Sequence, residues 1–524
     1  MKIKSKIALV LSGASLFFSI SCINDLDTEP LTDTTLTPDK AWLNESSYEQ
    51  FVSKIYAGFS ISGNEGPAGM PDMTASDQGE ATFLRSYWNL QQLGTDEVIG
   101  AWDNETLRGL QFNQWNSSNH FILLNYTRIY LNIAYANEFL RESTDEKLAS
   151  RNVSNEMKTQ VAVMRNEARA LRALAYYFLM DLYGNIPFIT EESGVGAYLP
   201  EQKDRVFFFN WLEKELQDID GKLPQHTMSN YGKVNNPMVW MLLSKLYLNA
   251  EVYIQQPKYT EALTYLNKIL NAGFTLDEGY KNMFGADNHQ SKEIIFPLVY
   301  DGLRASTYGG TTFLIAASYK SDMNPNDNFG FSQAWSGIRA KETLSDAFQE
   351  GDERALFWKE DRTRTTETWA DFNQGWSVIK FTNKNKDGSN GSNNVFADTD
   401  FPLYRLADAY LMYAEAILRG GSGGDKAKAV QYINQIRSRA KVAQIGESSL
   451  NLDFILQERM RELYWEGHRR PDLIRFGKFT KDYNWPWKNG IYNGSSNIDD
   501  KYKIYPLPST EISANPNLTQ NKGY

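Results

Sequence analysis

Apolar residues recur at steps of three and four over long stretches of this chain, and glycine, proline or asparagine bounds most of those stretches. The clearest is 165–183, where Met164, Ala168, Leu171, Ala175, Phe178 and Leu182 fall on one face of a helix. Small residues at Ala168, Ala170, Ala173 and Ala175 let a second helix approach closely. Gly184 supplies the stop and Pro187 prevents resumption. A helix with such a stripe needs partners, because isolated helices are marginal in water. The same period runs through 47–60, 119–142, 205–219, 237–253, 259–272, 405–418, 425–440 and 452–466. Asn236 is expected to cap the 237–253 helix, with Pro237 in its first turn. The run YTEALTYLNKIL over 259–270 has the Tyr/Ala/Leu spacing of a tetratricopeptide helix, so the hairpins predict an irregular tetratricopeptide-like array.

Between 274 and 402 the pattern changes. Helical periodicity thins, and Gly, Asn, Ser, Thr and aromatics take over. Short runs at 294–299 and 312–315 predict strands. The expected fold is therefore mainly α: helix hairpins forming a scaffold, with a loop-rich, mixed lobe where binding would reside. The divisions that follow are 41–273, 274–402 and 403–524.

Composition narrows the function. The chain has 524 residues, is 42% hydrophobic and carries 13 Trp and 29 Tyr, more ring surface than a core alone requires. A net charge of -10 argues against nucleic acid as a partner. Lys2, Lys4 and Lys6 precede a short apolar run over 7–20, which predicts an export signal over 1–21. The single cysteine, Cys22, follows in a setting that resembles a bacterial lipobox, so lipid attachment at Cys22 is expected, with 22–40 as a polar tether.

Several motifs then converge on one family. CINDLDTEP over 22–30, Glu167 to Arg169 with Arg172 and Ala173, and YGNIP over 183–187 resemble SusD/RagB lipoproteins of Bacteroidetes outer membranes. So do FPLYR over 401–405, YAEA over 413–416, INQIR over 433–437 and the block holding Glu458, Arg459, Glu462, Glu466 and DLIR over 472–475. NPNL over 515–518 with Gln520, Asn521, Gly523 and Tyr524 completes the match. The resemblance implies a SusD-like fold, and a surface protein that binds glycans without cleaving them. It also implies a partner: a SusC-type TonB-dependent outer-membrane transporter, for which the protein acts as a lid. A narrower resemblance, to the starch-binding branch, lies in DQG over 77–79, FLR over 83–85, WDN over 102–104 and YGGTTF over 308–313. It implies that Trp102, Tyr308 and Trp335 form an aromatic arc under a glucan, while Asp77, Arg85 and Asn104 bond its hydroxyls. Each has a plain alternative, such as a core position for Trp102 or an ion pair between Arg85 and Asp77.

The chemistry suits the task. Flat rings cover the apolar C–H faces of a sugar, and fixed donors and acceptors read its rim. A curved arc favours an α-1,4-glucan, and a flatter one a β-glucan such as laminarin. Trp485 and Trp487 are a possible second platform, with surface packing favoured. The 4 His fall in no zinc spacing, and no nucleophile elbow or phosphate loop appears. A surface glycoside hydrolase is the remote alternative, with no local context nominating a carboxylate pair. No cofactor is required. NKNKDG over 383–388 begins like a calcium loop but has Asn394 where a Glu is needed, and Asp287 is a vague candidate for structural calcium.

Overall fold

A computed structural model describes residues 38–524 except 195 and 197. The export signal over 1–21, Cys22 and the tether up to residue 37 lie outside the described residues. The described residues 38–47, which include a short helix at Pro38–Ala41, belong to one unit, and Tyr48–Tyr524 form another.

The helices that matter here are α1 (Ser46–Ser60), α2 (Phe83–Gln92), α3 (Glu105–Gln111), α4 (His120–Glu142), α5 (Asn155–Tyr183) and α6 (Arg205–Ile219). They continue with α7 (Asn236–Leu248), α8 (Tyr259–Leu270), α9 (Gly310–Ser318), α10 (Leu406–Leu418), α11 (Lys426–Arg439) and α12 (Leu452–Leu463). Four strands serve the argument: β1 (Val98–Gly100), β2 (Ile294–Leu298), β3 (Ile338–Ala340) and β4 (Phe401–Arg405). α4 packs on α5, α5 on α6, α7 on α8 and α10 on α11, which is the stacked-hairpin arrangement the periodicity predicts. β1 pairs antiparallel with β3, Ile99 opposite Arg339, and β2 pairs antiparallel with β4, Leu298 opposite Phe401.

Capping explains where the helices begin. The side chains of Asn119, Ser154, Asp204, Asn235 and Asn451 each accept a backbone N–H of the first turn they precede. Two expectations are corrected here. The capping residue of α7 is Asn235; Asn236 is already helical and spends its side chain on Gly221 N–H and the Leu223 carbonyl. α5 starts at Asn155, ten residues before 165, because Ser154 caps it there. At its other end Gly184 takes φ +73° and its N–H closes on the Met180 carbonyl, as the stop signal predicts.

Other boundaries differ as well. The 237–253 stretch breaks at Asn249 into α7 and a short helix at Ala250–Ile254. α12 ends at Leu463, before the left-handed Trp465 (φ +68°), rather than at Gly467. The polar 143–155 segment holds a turn of helix at Asp145–Ser150, capped by Thr144. The run at 312–315 is not a strand but part of α9, all nine of whose residues are buried.

The charged residues of the C-terminal motifs are inside. Arg405 reaches Glu293 at 2.9 Å, Glu462 at 2.7 Å and Glu466 at 2.7 Å. Arg354 holds Asp352 at 2.8 Å and Glu458 at 2.7 Å, and Lys380 holds Glu466 at 2.6 Å. Arg439 bridges Glu293 and Glu462. Burial pushes the Glu462 carboxyl up, but Arg439, Arg405 and Arg354 outweigh it and hold the group well below the usual carboxylate range. These pairs join segments from 274–402 to β4, α11, α12 and the residues just after α12. Breaking one partner leaves a buried charge uncompensated.

Candidate functional site

The loop 61–82 and five short elements converge on one cleft. Arg85 stands in α2, Trp102 just after β1, Asn104 at the N-cap of α3, Tyr308 just before α9 and Trp335 just before β3. Asp77 lies in the loop before α2. Together Asp77, Arg85, Trp102, Asn104, Tyr308 and Trp335 line a single cleft of about 420 Å³. The structure therefore brings all six predicted residues together.

Backbone hydrogen bonds hold the rings. The N–H groups of Trp335, Ser336 and Gly337 donate to the carbonyls of Ala316, Tyr319 and Ala317 at 2.7–2.9 Å. The Trp335 segment thus bonds carbonyls at and just past the end of α9, where a helix has few partners of its own. Ala101 N–H donates to the Gly337 carbonyl at 2.7 Å, and the Trp102 indole N–H donates to the Trp335 carbonyl at 3.1 Å. Trp102 is thereby tied to Trp335 by its polar edge, leaving its ring to the cleft. A Cβ at residue 337 would sit 2.2 Å from the Trp102 ring, so glycine is what lets the two strands bring these indoles together. Tyr308 and Trp335 have centroids 6.5 Å apart and planes inclined at 43°, and Phe396 packs edge-on behind Tyr308 at 5.0 Å. All three cleft rings are half-buried.

The polar rim is built around Arg85. The residue is 7% exposed and its guanidinium lies 4.9 Å from the centre of the Phe313 ring. Its Nη1 donates to Asp77 at 3.3 Å, Glu80 stands 3.7 Å from Nη2, and Nε is buried without a partner among the described residues. Burial lowers the Arg85 pKa and the two carboxylates oppose that. Burial raises the Glu80 carboxyl, but its bond with His120 and the charge of Arg85 prevail and lower it. Asp77 also accepts Glu80 N–H at 3.0 Å. The ion pair with Asp77 and a place in the cleft are both real for Arg85. Asn104 spends its carbonyl oxygen on Thr106 and Leu107 as the cap of α3, which leaves its amide NH₂ for the cleft.

Sequence reasoning missed Gln78, Glu80 and Leu107, which complete the lining. It also missed Phe313, the buried ring beneath both Arg85 and Trp102, the latter at 6.3 Å. Phe313 ends the motif YGGTTF, and that motif was the available signal. Trp485 is 1% exposed, and Trp487 stacks on Phe112 at 5.6 Å while donating to the Thr366 carbonyl, so the two form no platform. Asp287 accepts the Lys386 N–H on both oxygens at 3.1 and 3.2 Å, and Asp387 accepts from Ser389 as in a polar turn. Among the described residues no group of three or more His, Cys, Asp or Glu side chains is placed to hold a metal ion.

A mainly helical scaffold that presents an aromatic cleft with a fixed arginine is the arrangement that the resemblance to SusD/RagB lipoproteins implies. Comparison with known proteins agrees. A family model described as "SusD family" matches residues 331–524, and one described as "Starch-binding associating with outer membrane" matches residues 36–201. The chain is 32% identical to starch-binding protein SusD of Bacteroides thetaiotaomicron, over 99% of this chain and 97% of that one. It belongs to the SusD family. Among solved structures, surface glycan-binding protein A from Bacteroides thetaiotaomicron in complex with laminarihexaose superposes with a TM-score of 0.68 at 21% identity, covering 91% of this chain and 99% of that one. A SusD superfamily protein from Parabacteroides distasonis superposes with a TM-score of 0.72 at 18% identity, covering 94% and 100%.

Proposed function

We propose that this protein is a surface lipoprotein that captures an α-glucan of the starch type in the Trp102–Tyr308–Trp335 cleft, without cleaving it. The observation that carries the reading is the convergence of three rings and the Arg85–Asp77 pair on one cleft. Inclined rings fit the turn of an α-1,4 chain, and the rim offers Arg85, Asp77 and the Asn104 amide to its hydroxyls. Three rings and a few hydrogen bonds correspond to a Kd of about micromolar to millimolar, which suits a protein that must release its ligand. Cys22 is the lipid attachment point, the outer membrane the location, and a SusC-type TonB-dependent transporter the partner that receives the glucan. The similarity to the starch-binding relative across nearly the whole chain supports this reading.

A β-glucan of the laminarin type is the second reading. It is favoured by the shared fold of the laminarihexaose complex, whose identity to this chain is lower. Titration calorimetry with maltoheptaose and laminarihexaose separates the two. Binding of maltoheptaose that is lost in Trp102→Ala supports the first, and binding of laminarihexaose alone replaces it with the second. Release of reducing sugar from either would overturn the non-enzymatic reading. Loss of membrane association in Cys22→Ala tests the anchor, and co-purification with the transporter tests the partner.

A further inference from the structure

A second group of rings lies at the other end of α3 from the cleft. Asn104, the N-cap of α3, and Leu107 within it line the cleft. The helix has seven residues, a rise of about 10 Å, and ends at its C-cap, Phe112. The Phe112 ring meets Trp369 edge-on at 5.7 Å and stacks on Trp487 at 5.6 Å, and Trp487 meets Tyr492 at 5.8 Å. Trp487, which makes no platform with the buried Trp485, belongs to this group instead. Two bonds hold the segments that carry the rings. The Trp487 indole N–H donates to the Thr366 carbonyl at 2.6 Å, and Gln114 Nε2 donates to the Asn489 carbonyl at 3.0 Å. All four rings are half-buried, and Ile491, next to Tyr492 in the chain, is 50% exposed. Neither the Trp369 indole N–H nor the Tyr492 hydroxyl is hydrogen-bonded to any described residue.

Rings with free donors at their edges suit a sugar, whose C–H faces cover the rings and whose hydroxyl oxygens accept from the donors. A purely apolar guest would strip water from both donors and replace it with nothing. The ring group is also continuous with the cleft, because α3 begins in one and ends in the other. We propose that these rings are a second contact surface for the chain held in the cleft: the glucan runs from Trp102 along α3 and rests on Trp369 and Tyr492. The inference rests on the glucan reading of the cleft and extends it, from a site for a few sugar units to a track that favours longer chains.

Titration calorimetry tests this, with maltotriose as the probe for the cleft alone and maltoheptaose as the probe for both surfaces. The parent should bind maltoheptaose about fivefold more tightly than maltotriose or better, the worth of one further ring. Trp369→Ala should bring the two sugars close to one Kd by weakening maltoheptaose alone. Tyr492→Phe keeps the ring and should weaken maltoheptaose about threefold, the worth of one hydrogen bond, again without effect on maltotriose. Trp102→Ala should weaken both sugars. Equal Kd values for the two sugars in the parent, or maltoheptaose binding unchanged in Trp369→Ala, would overturn the proposal, and the second result would leave the rings to a protein partner. Should Trp369→Ala fail to fold, the parent comparison and Tyr492→Phe decide it, and parent-like binding of both sugars by Tyr492→Phe counts against the surface. If neither sugar binds the parent, the glucan reading fails and this inference with it. If maltotriose binds and the two sugars do not differ, that reading stands and the second surface alone falls.

Discussion

Arginine meets carboxylate in two regions of this molecule, and the two are built differently. Around Arg405 the side chains are at most 3% exposed, and the arginine is ringed by Glu293, Glu462 and Glu466. In the cleft Arg85 is buried, but its partner Asp77 is 48% exposed and the Arg85 Nε has no partner among the described residues. The first is an interior network whose charges pair with one another. The second is open on one side and flanked by rings. The same residue types thus serve as scaffold in one place and as a recognition surface in the other, and solvent access separates the two roles.

The contrast is testable by removing groups from each region. The largest effect belongs to the network: Glu462→Ala strands Arg405 and Arg439 in the interior and should cost about 3–5 kcal/mol of stability in denaturant unfolding. The network's surroundings should also respond to acid. Glu415, bonded twice by Arg475 at 2.7 and 2.8 Å, has its carboxyl raised by burial but pulled down further by Arg475, to about 2. A depressed folded pKa stabilises fully above the unfolded value, and that stability is lost as the pH falls through the folded one. Acid unfolding should therefore draw about 3 kcal/mol from this group between pH of about 4.5 and about 2, and Glu415→Gln should flatten that limb.

In the cleft, Trp102→Ala should weaken maltoheptaose about thirtyfold, or about 2 kcal/mol, with circular dichroism and melting unchanged. Gly337→Ala forces the Trp102 ring aside and should weaken binding severalfold, consistent with an overpacking cost of about 1 kcal/mol or more. The smallest effect is expected at Asp287, whose oxygens already accept the Lys386 N–H. A chelator should move the melting temperature by less than about 1 °C, and a larger fall would show that the protein carries a structural ion.

The sequence was legible where burial is one-sided. α4, α8 and the N-terminal half of α5 have a wet face and a dry face, so their period shows, and Gly184 marks an end because its positive φ favours glycine. α9 was not seen as a helix because every residue in it is buried and apolar side chains lie all round it, which erases the contrast that periodicity needs, whereas α2 was missed although Phe83, Leu84, Tyr87 and Trp88 do recur at helical steps. In α9, Thr311, Thr312 and Ile315 also carry β-branched side chains that mimic a strand. The rings and Arg85 were placed by motif resemblance. Their convergence depends on β1 pairing with β3 across more than two hundred residues, and no local pattern encodes that.

A crystal structure with maltoheptaose bound tests the central claim most directly. The account predicts sugar rings against Trp102, Tyr308 and Trp335, with hydroxyls within hydrogen-bond distance of Arg85 and Asp77. Maltoheptaose bound elsewhere on the protein, with this cleft free of sugar, would contradict it.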